Sequence, residues 1–413
     1  MTWMIMPFCA RIPYLPILIL LVLGCSIISG CIQTPEPVSL EHDSHLRSPP
    51  PSVDASLQKI VSEGVTKSGI PGAVVGIVTP DWRWSHAAGY ASLSPEIPAE
   101  PGMHFFIASV TKPFVAVSIL QLAEEGKLAL DDPISSYLPV EIAEAIAKSD
   151  EITIRQLLDH TSGIADYDER SLILEEYENP GHIVSYEQGM WDAIHAGPLY
   201  DPGMGYTYSN ANYILLTLII DRTSGTSYEE YVKEHIFTPV GMKNTTVHRT
   251  NRLPDPYMHA IEVDDDGSIM DFSTLHKHYD RGSGDMVSTA ADLNAFHTAL
   301  VSGRLINSSS IAQMRTTSPQ SERDINMGAL GSGKQSYGAG YEYIIIPPGE
   351  PGELTLYGHT GGYAGASTFW YYLEAEDTYL VLHANSSIKA AAIYYEILLP
   401  LLQFLTEENP AEN

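Results

Sequence analysis

The sequence predicts an α+β fold: one antiparallel sheet built from both chain ends, flanked by helices, with an inserted all-helical subdomain. Three observations carry this expectation. Strand-like runs occur early, in "GAVVGIVTP" and "WRWSHAAGYAS", and return only after about residue 335. Helical periodicity dominates between Ser109 and Val240. Amphipathic helices stand near the two ends, at 53–68 and about 389–405, placed to cover a face of the sheet. No internal repeat is visible.

The chain opens with "MTWMIMPFCARIPYLPILILLVLGCSIISGC": one Arg11, an apolar run over about 12–28, then small residues before Cys31. That is the layout of a secretory signal. Ile28-Ser29-Gly30-Cys31 resembles the lipobox of prokaryotic lipoproteins, in which the cysteine becomes the lipid-modified first residue. Val22-Leu23-Gly24-Cys25 fits less well because Leu23 is bulky. A retained anchor and plain secretion are the alternatives, although Pro13 and Pro16 interrupt a run already short for a span. The expectation is a signal peptide over 1–30, lipidation at Cys31 and a Pro- and Ser-rich tether over 31–52. The globular part would then be extracytoplasmic and membrane-anchored.

The first helix follows from Val53, Leu57, Ile60, Val61 and Val65, with Ile70-Pro71-Gly72 as its stop. The two early strands, joined by a Pro-Asp turn, form a hairpin. Thr153 reads as an N-cap for "IRQLLDHTSG", ended by Gly163. "ANYILLTLIIDRTSG" is a buried helix, again ended by glycine. The later strands are "YGAGYEYIII", "ELTLYGHTGG", "ASTFWYYLEA" and "TYLVLHANSS". The expected division is a sheet subdomain from 53–108 and 250–407, a mainly helical one over 109–249, and a tail over 408–413.

Composition removes several function classes. Of 413 residues, 51 are acidic and 22 basic, a net charge of −29, so binding nucleic acid through phosphates is excluded. The three cysteines, Cys9, Cys25 and Cys31, all precede the globular part. It therefore has no disulfide framework, thiolate metal site or cysteine nucleophile.

"MHFFIASVTKPFVAVSIL", residues 103–120, places a cation in an apolar run. Pro113 lacks an N–H, so the helix must begin at or near Ser109. Ser109 and Lys112 are i and i+3 and share a face, at a helix end whose free N–H groups favour negative charge. A serine needs a base before it can attack a carbonyl. A lysine serves if its reference pKa of roughly 10.4 falls, and Phe105, Phe106, Ile107, Phe114 and Val115 would desolvate it. The same letters also fit a helix cap followed by a snorkelling lysine.

Two further elements matter. In Tyr208-Ser209-Asn210 the tyrosine can relay a proton and the asparagine can orient the lysine and a substrate amide; alone it is a turn with an N-cap. In Gly358-His359-Thr360-Gly361-Gly362 the glycines let a substrate backbone lie along a strand, and an N–H there can join that of Ser109 in an oxyanion hole; alone it is a glycine-rich bend.

Together, in this order, the three elements resemble the serine β-lactamase and penicillin-binding-protein superfamily, with S-x-x-K, then Y-x-N, then a [KH]-[ST]-G strand. The Y-x-N form is similar to the branch of class C β-lactamases, DD-carboxypeptidases and esterases. So are "GKLALDDPISSYLP", "ITIRQLLDHTSGIADY", "PVGMKNTTV" and "GSGDMVSTAADLNAF". The resemblance covers roughly residues 55–405. It implies the β-lactamase/DD-peptidase-like fold and a serine hydrolase acting through an acyl-enzyme on an amide or ester, as peptidase, esterase or weak β-lactamase. It implies Ser109 as nucleophile, Lys112 as its base and Tyr208 as proton relay. Asn210, His359, Thr360, Gly361 and Gly362 would bind substrate, with the N–H groups of Ser109 and Gly362 as oxyanion hole. No metal or cofactor is implied; the partner is a small-molecule or peptide substrate. His359 stands where lysine is usual, and histidine is only partly charged near neutrality, so grip on a carboxylate should weaken.

Two rival readings are weaker. "LHKHYD" holds His276, His278 and Asp280 as H-x-H-x-D, part of a metallo-β-lactamase zinc signature, but Arg281 stands where a second histidine should follow and its charge repels zinc. A solvated loop bordering the site is expected instead. The other rival is a non-catalytic surface receptor with the same fold; intact Ser109, Lys112 and Tyr208 count against it. The loops around 165–205 and 251–283, which would select the substrate, carry no legible signature, and oligomeric state is not legible either.

Overall fold

The first helix, Pro51–Ser68, begins two residues before the expected 53, with Pro51 in the first turn, where a missing N–H is harmless. It closes on Gly69 at φ 65°. The computed structural model describes residues 47–406 apart from 180, 265, 328–329 and 347–352. The expected signal peptide, Cys31, most of the tether and the tail lie outside these residues. Among the described residues no helix is long and apolar enough to cross a membrane.

Strands β1 (Gly72–Val78) and β2 (Arg83–Leu93) form the expected hairpin, and β3 (Glu96–Pro98) extends it. A small sheet joins β4 (Phe105–Phe106), β5 (Thr246–Val247) and β8 (Met286–Ser288), while β6 (Ile261–Val263) pairs with β7 (Ile269–Asp271). The late strands are β9 (Arg323–Asn326), β10 (Ser332–Tyr337), β11 (Glu342–Ile346), β12 (Leu354–Tyr363), β13 (Ala366–Leu373) and β14 (Thr378–Ala384). The main sheet runs β3-β2-β1-β14-β13-β12-β11-β10-β9, antiparallel throughout. β1 therefore lies beside β14, with Val75 opposite Leu382, so the two chain ends share one sheet.

Period-two alternation sends side chains to two cores. Val75, Ile77, Leu380 and Leu382 pack with Leu57 and Val61 of the first helix and Ile397 and Leu401 of the closing helix. Val74, Trp370 and Val381 face the other way, toward Phe296 of the helix Ala290–Val301. All eight residues of β13 are buried, as a strand covered on both faces must be. The closing helix is not one smooth helix over 389–405: a π turn, Tyr394–Leu398, separates Ala390–Ile393 from Leu399–Thr406.

Between the strand groups lie the helices, among them Lys112–Glu124, Ile154–Leu158, Glu169–Glu178 and Asn210–Ser224. Thr153 caps its helix in a capping box with Gln156, as expected. That helix ends at Leu158 rather than Gly163, because His160 takes φ 61° and turns the chain inward. "YGAGYEYIII" is not one strand. Tyr337 ends β10, Gly340 turns at φ 67°, and β11 starts at Glu342. Strand β9 and most of β10 were not expected, since their sequence is polar and short of β-branched residues.

Candidate active site

Strand β4 delivers the chain to Ala108, a non-glycine residue at φ 48°, which opens the 3-10 turn Ala108–Thr111. The α-helix proper starts at Lys112, with Pro113 in its first turn. Ser109 thus sits in the tight turn before the helix. Strand β12 approaches this turn closely. A Cβ on Gly361 would lie 2.2 Å from the Ile107 carbonyl oxygen, so only glycine fits there. At the third segment, the Ser209 N–H donates to His160 Nδ1 (3.2 Å) and its hydroxyl to the Ala165 carbonyl (3.0 Å). These bonds fix Tyr208 and Asn210 on either side.

The three segments meet. Lys112 is fully buried, with Nζ 3.0 Å from Ser109 Oγ, 2.8 Å from Asn210 Oδ1 and 2.8 Å from the Ser283 carbonyl oxygen. Burial pushes its pKa from 10.5 down to about 8, against the pull of Asp280, Glu169 and Asp166 and with the help of Lys277. The geometry then fixes where the lone pair goes. Asn210 Oδ1 and the Ser283 carbonyl can only accept, so they take the two N–H bonds of a neutral amine. The remaining position, the lone pair, faces the Ser109 hydroxyl. Asp166 secures the first acceptor: it receives the Asn210 N–H (2.8 Å) and Nδ2–H (3.3 Å), which turns Oδ1 toward Lys112.

Burial raises the Tyr208 phenol well above its ordinary value, with neighbouring Ser109 opposing that rise. It therefore keeps its proton near neutrality and is not a resident phenolate. Lys112 Nζ stands 4.7 Å from the Tyr208 ring centroid and 5.4 Å from that of Tyr213.

His359 departs from expectation. It is 1% exposed, and burial pushes its pKa down to about 3, so it is uncharged rather than partly charged. Nδ1 lies 2.5 Å from the Thr360 carbonyl, which can only accept, so Nδ1 carries the proton. Nε2 then accepts from the Tyr337 hydroxyl at 2.8 Å. Both nitrogens are committed inside the protein. Thr360 is also held, with its N–H and hydroxyl donating to Glu342 at 3.2 and 2.8 Å.

Ser109, Tyr208, His359, Thr360 and Gly362 line one cavity of about 280 Å³. Lys112, Asn210 and Gly361 stand behind it. The cavity wall adds a cation that the sequence reading missed. Arg323, on unexpected β9, is exposed, and its guanidinium donates only to the neutral Gln335 Oε1, at 2.8 and 3.1 Å, with no ion pair among the described residues. Tyr337 and Ser283 were missed as well; no motif marks a residue that contributes a phenol from β10 or a backbone carbonyl.

"LHKHYD" is not a solvated loop. Lys277 and Tyr279 are 0% exposed and Asp280 2%, because the segment tucks behind the site. Its three candidate ligands diverge: His276 pairs with Glu176, His278 with the Arg249 carbonyl, and Asp280 with Lys277. Arg281 makes a two-pronged pair with Asp221 at 2.8 and 2.9 Å.

Comparison with known proteins bears on family and fold. The chain is 31% identical over 280 residues to the putative penicillin-binding protein PbpX of Bacillus subtilis, a stretch of 65% of this chain and 64% of that one. Its match thus spans less than two thirds of that relative. The D-stereospecific amidohydrolase from Streptomyces sp. superposes with a TM-score of 0.69 at 27% identity, over 83% of this chain and 98% of that one. The D-amino acid amidase from Ochrobactrum anthropi shares the fold, with a TM-score of 0.72 at 23% identity, over 86% of this chain and 98% of that one. The β-lactamase family profile matches residues 57–398, and the chain belongs to that family.

Proposed function

We propose that the protein is a serine hydrolase that cleaves amides or esters through an acyl-Ser109 intermediate, with D-configured amino-acid amides or short peptides as its substrate class. The carrying observation is the set of three contacts at Lys112 Nζ, two to obligate acceptors and the third to Ser109 Oγ. The resemblance to the D-stereospecific amidohydrolase supports the substrate class.

In the first step the Ser109 proton moves to Lys112 Nζ as Oγ bonds to the substrate carbonyl carbon. The carbonyl oxygen becomes an oxyanion between the N–H groups of Ser109 and Gly362. The proton on Lys112 then passes through Tyr208, which gives one and regains one, to the leaving nitrogen or oxygen; the scissile bond breaks and the acyl-enzyme remains, with the amine neutral again. Water then attacks the acyl carbon and gives one proton to the neutral Lys112 amine; as the bond to Ser109 Oγ breaks, that proton returns to Oγ through Tyr208, and the acid leaves. A substrate carboxylate, where present, meets Arg323 rather than His359.

The test uses full-length protein with D-amino-acid amides, p-nitrophenyl esters and nitrocefin. Amides and esters should turn over faster than nitrocefin, and Ser109→Ala should abolish all turnover while leaving the fold intact. Hydrolysis that survives Ser109→Ala refutes the nucleophile. We also propose that Cys31 carries a lipid anchor holding the enzyme outside the membrane. Cys31→Ala should then move it from the membrane fraction to the soluble one, and unchanged membrane association refutes the anchor.

A further inference from the structure

We propose that Asp280, held by Lys277, is a positioning residue for Lys112: the turn it closes delivers the Ser283 carbonyl to the lysine amine, and its charge sets how firmly that amine holds a proton. This rests on the role proposed above for Lys112.

The geometry is a continuous chain. Lys277 takes φ 57° and is wholly buried, with Nζ 3.0 Å from Asp280 Oδ2 but off the axis of a hydrogen bond. The same Nζ lies 3.2 Å from the ring centroid of Tyr363, the residue after Gly362. Asp280 Oδ1 accepts from the Tyr167 hydroxyl at 3.1 Å. The Asp280 carbonyl accepts the N–H groups of Ser283 (2.9 Å) and Gly284 (3.0 Å) and the Ser283 hydroxyl (3.1 Å). The Ser283 carbonyl, turned outward by that arrangement, receives Lys112 Nζ. A Cβ on Gly284 would lie 2.9 Å from Asp280 Oδ2, so the turn is built around this carboxylate.

A buried ion pair is a weak source of stability compared with apolar residues of the same volume. Placing one directly behind a catalytic amine has a chemical consequence instead. Lys112 feels Asp280, Glu169, Asp166 and Lys277, has the Tyr208 and Tyr213 rings beside it, and lies near the uncharged His160 and His359; burial raises Glu169 to about 8 and Asp166 to about 6. Among the acids Asp280 pulls hardest toward the protonated amine, and Lys277 opposes it. The pair holds the amine between a permanent cation, useless as a base, and a free amine with no fixed direction.

The test is the rate at which a fluorophosphonate labels Ser109 of the full-length protein as pH varies, with melting curves to confirm folding. In wild type the rate rises through a midpoint near pH 8. Asp280→Asn keeps an acceptor for Tyr167 but removes the negative charge. Its midpoint should fall by about one unit, making labelling at pH 6 about tenfold faster. Lys277→Gln should raise the midpoint, and Lys277→Arg should restore it. Opposite shifts from the two members of one pair are not expected of a purely structural role. Folded variants that keep the wild-type midpoint, or that both move the same way, overturn the proposal. If Asp280→Asn does not fold, Lys277→Gln decides alone, with an unmoved midpoint counting against. Wild type that never labels refutes the nucleophile reading itself, and this one with it.

Discussion

Lys112 must be uncharged to take a proton from Ser109, so activity should follow its deprotonated fraction. Burial lowers its pKa from 10.5 to about 8, so the charged form prevails below pH 8 and the rate rises with pH through that value. At pH 7 about one-tenth of the amine is free, and at pH 6 about one-hundredth. The ratio kcat/KM should therefore climb by up to about tenfold from pH 7 to pH 9, with a slope below one on logarithmic axes, because Glu169, raised by burial to about 8, ionises over the same range and its charge holds the proton on Lys112. His359, at about 3, and His160, pushed well below its ordinary value by burial, stay neutral throughout. No second limb should arise from either. The assay is hydrolysis of an uncharged p-nitrophenyl ester by full-length protein in buffers of constant ionic strength, so that no substrate group titrates. A midpoint between pH 6 and 7 would point to a histidine base, and a flat profile from 6 to 9 would remove titration of the base altogether. Either result refutes the reasoning.

Arg323→Gln should raise KM by roughly 10- to 100-fold for substrates bearing a carboxylate, while leaving neutral esters unchanged, since only the former use a charge-assisted bond; paired kinetics on one acyl group with and without the carboxylate would show it. Gly361→Ala should cost about 100-fold in kcat, because the 2.2 Å clash with the Ile107 carbonyl pushes β12 off the turn that carries Ser109. Single-turnover kinetics alongside a melting curve separates that loss from unfolding. Arg281→Met leaves Asp221 with the Tyr228 N–H but no cation, and the expected destabilisation is about 2 kcal/mol, less than for a wholly buried pair because Asp221 is 32% exposed. Urea unfolding followed by fluorescence would measure it.

The sheet built from both chain ends was legible because its central strands are long and apolar: "TYLVLHA" and "ASTFWYYL" pair with each other, and β1 pairs with the first of them. The edge was not legible. Edge strand β9 and its neighbour β10 carry arginine, aspartate, lysine and glutamine, because this end of the sheet is partly open to water and needs no apolar alternation. Arg323 was lost with them. Ser109, Lys112 and Asn210, which the fold brings together, could be singled out because the chemistry proposed for them needs particular side chains at fixed spacings. Ser283 was not, because it serves Lys112 through a backbone carbonyl that any residue could supply. "LHKHYD" misled for a related reason. Charged letters suggest solvent, and only the fold reveals that Lys277 and Asp280 neutralise each other in the interior. The end of the helix after Thr153 was misplaced because Gly163 is the usual stop, whereas His160 adopts the left-handed conformation three residues earlier.

The site asks two incompatible things of positive charge. The base must lack a proton near neutrality, and the group that meets a substrate anion must keep one. Burial separates the two tasks. Lys112, wholly enclosed, falls to about 8, and enclosed His359 falls to about 3 and locks both nitrogens into the protein. Neither can greet an incoming carboxylate without leaving its partners. Arg323 stands at the exposed rim instead, with its guanidinium bonded to the neutral Gln335. A lysine at position 359 would not simply restore a cation, because it would enter the same enclosed volume near Lys112. Each ammonium would then disfavour the other, freeing the base but also discharging the binder. With His359 neutral, the proton affinity of Lys112 is set first by burial and then by Asp280, Glu169, Asp166 and Lys277, all enclosed with it rather than at the rim where Arg323 stands.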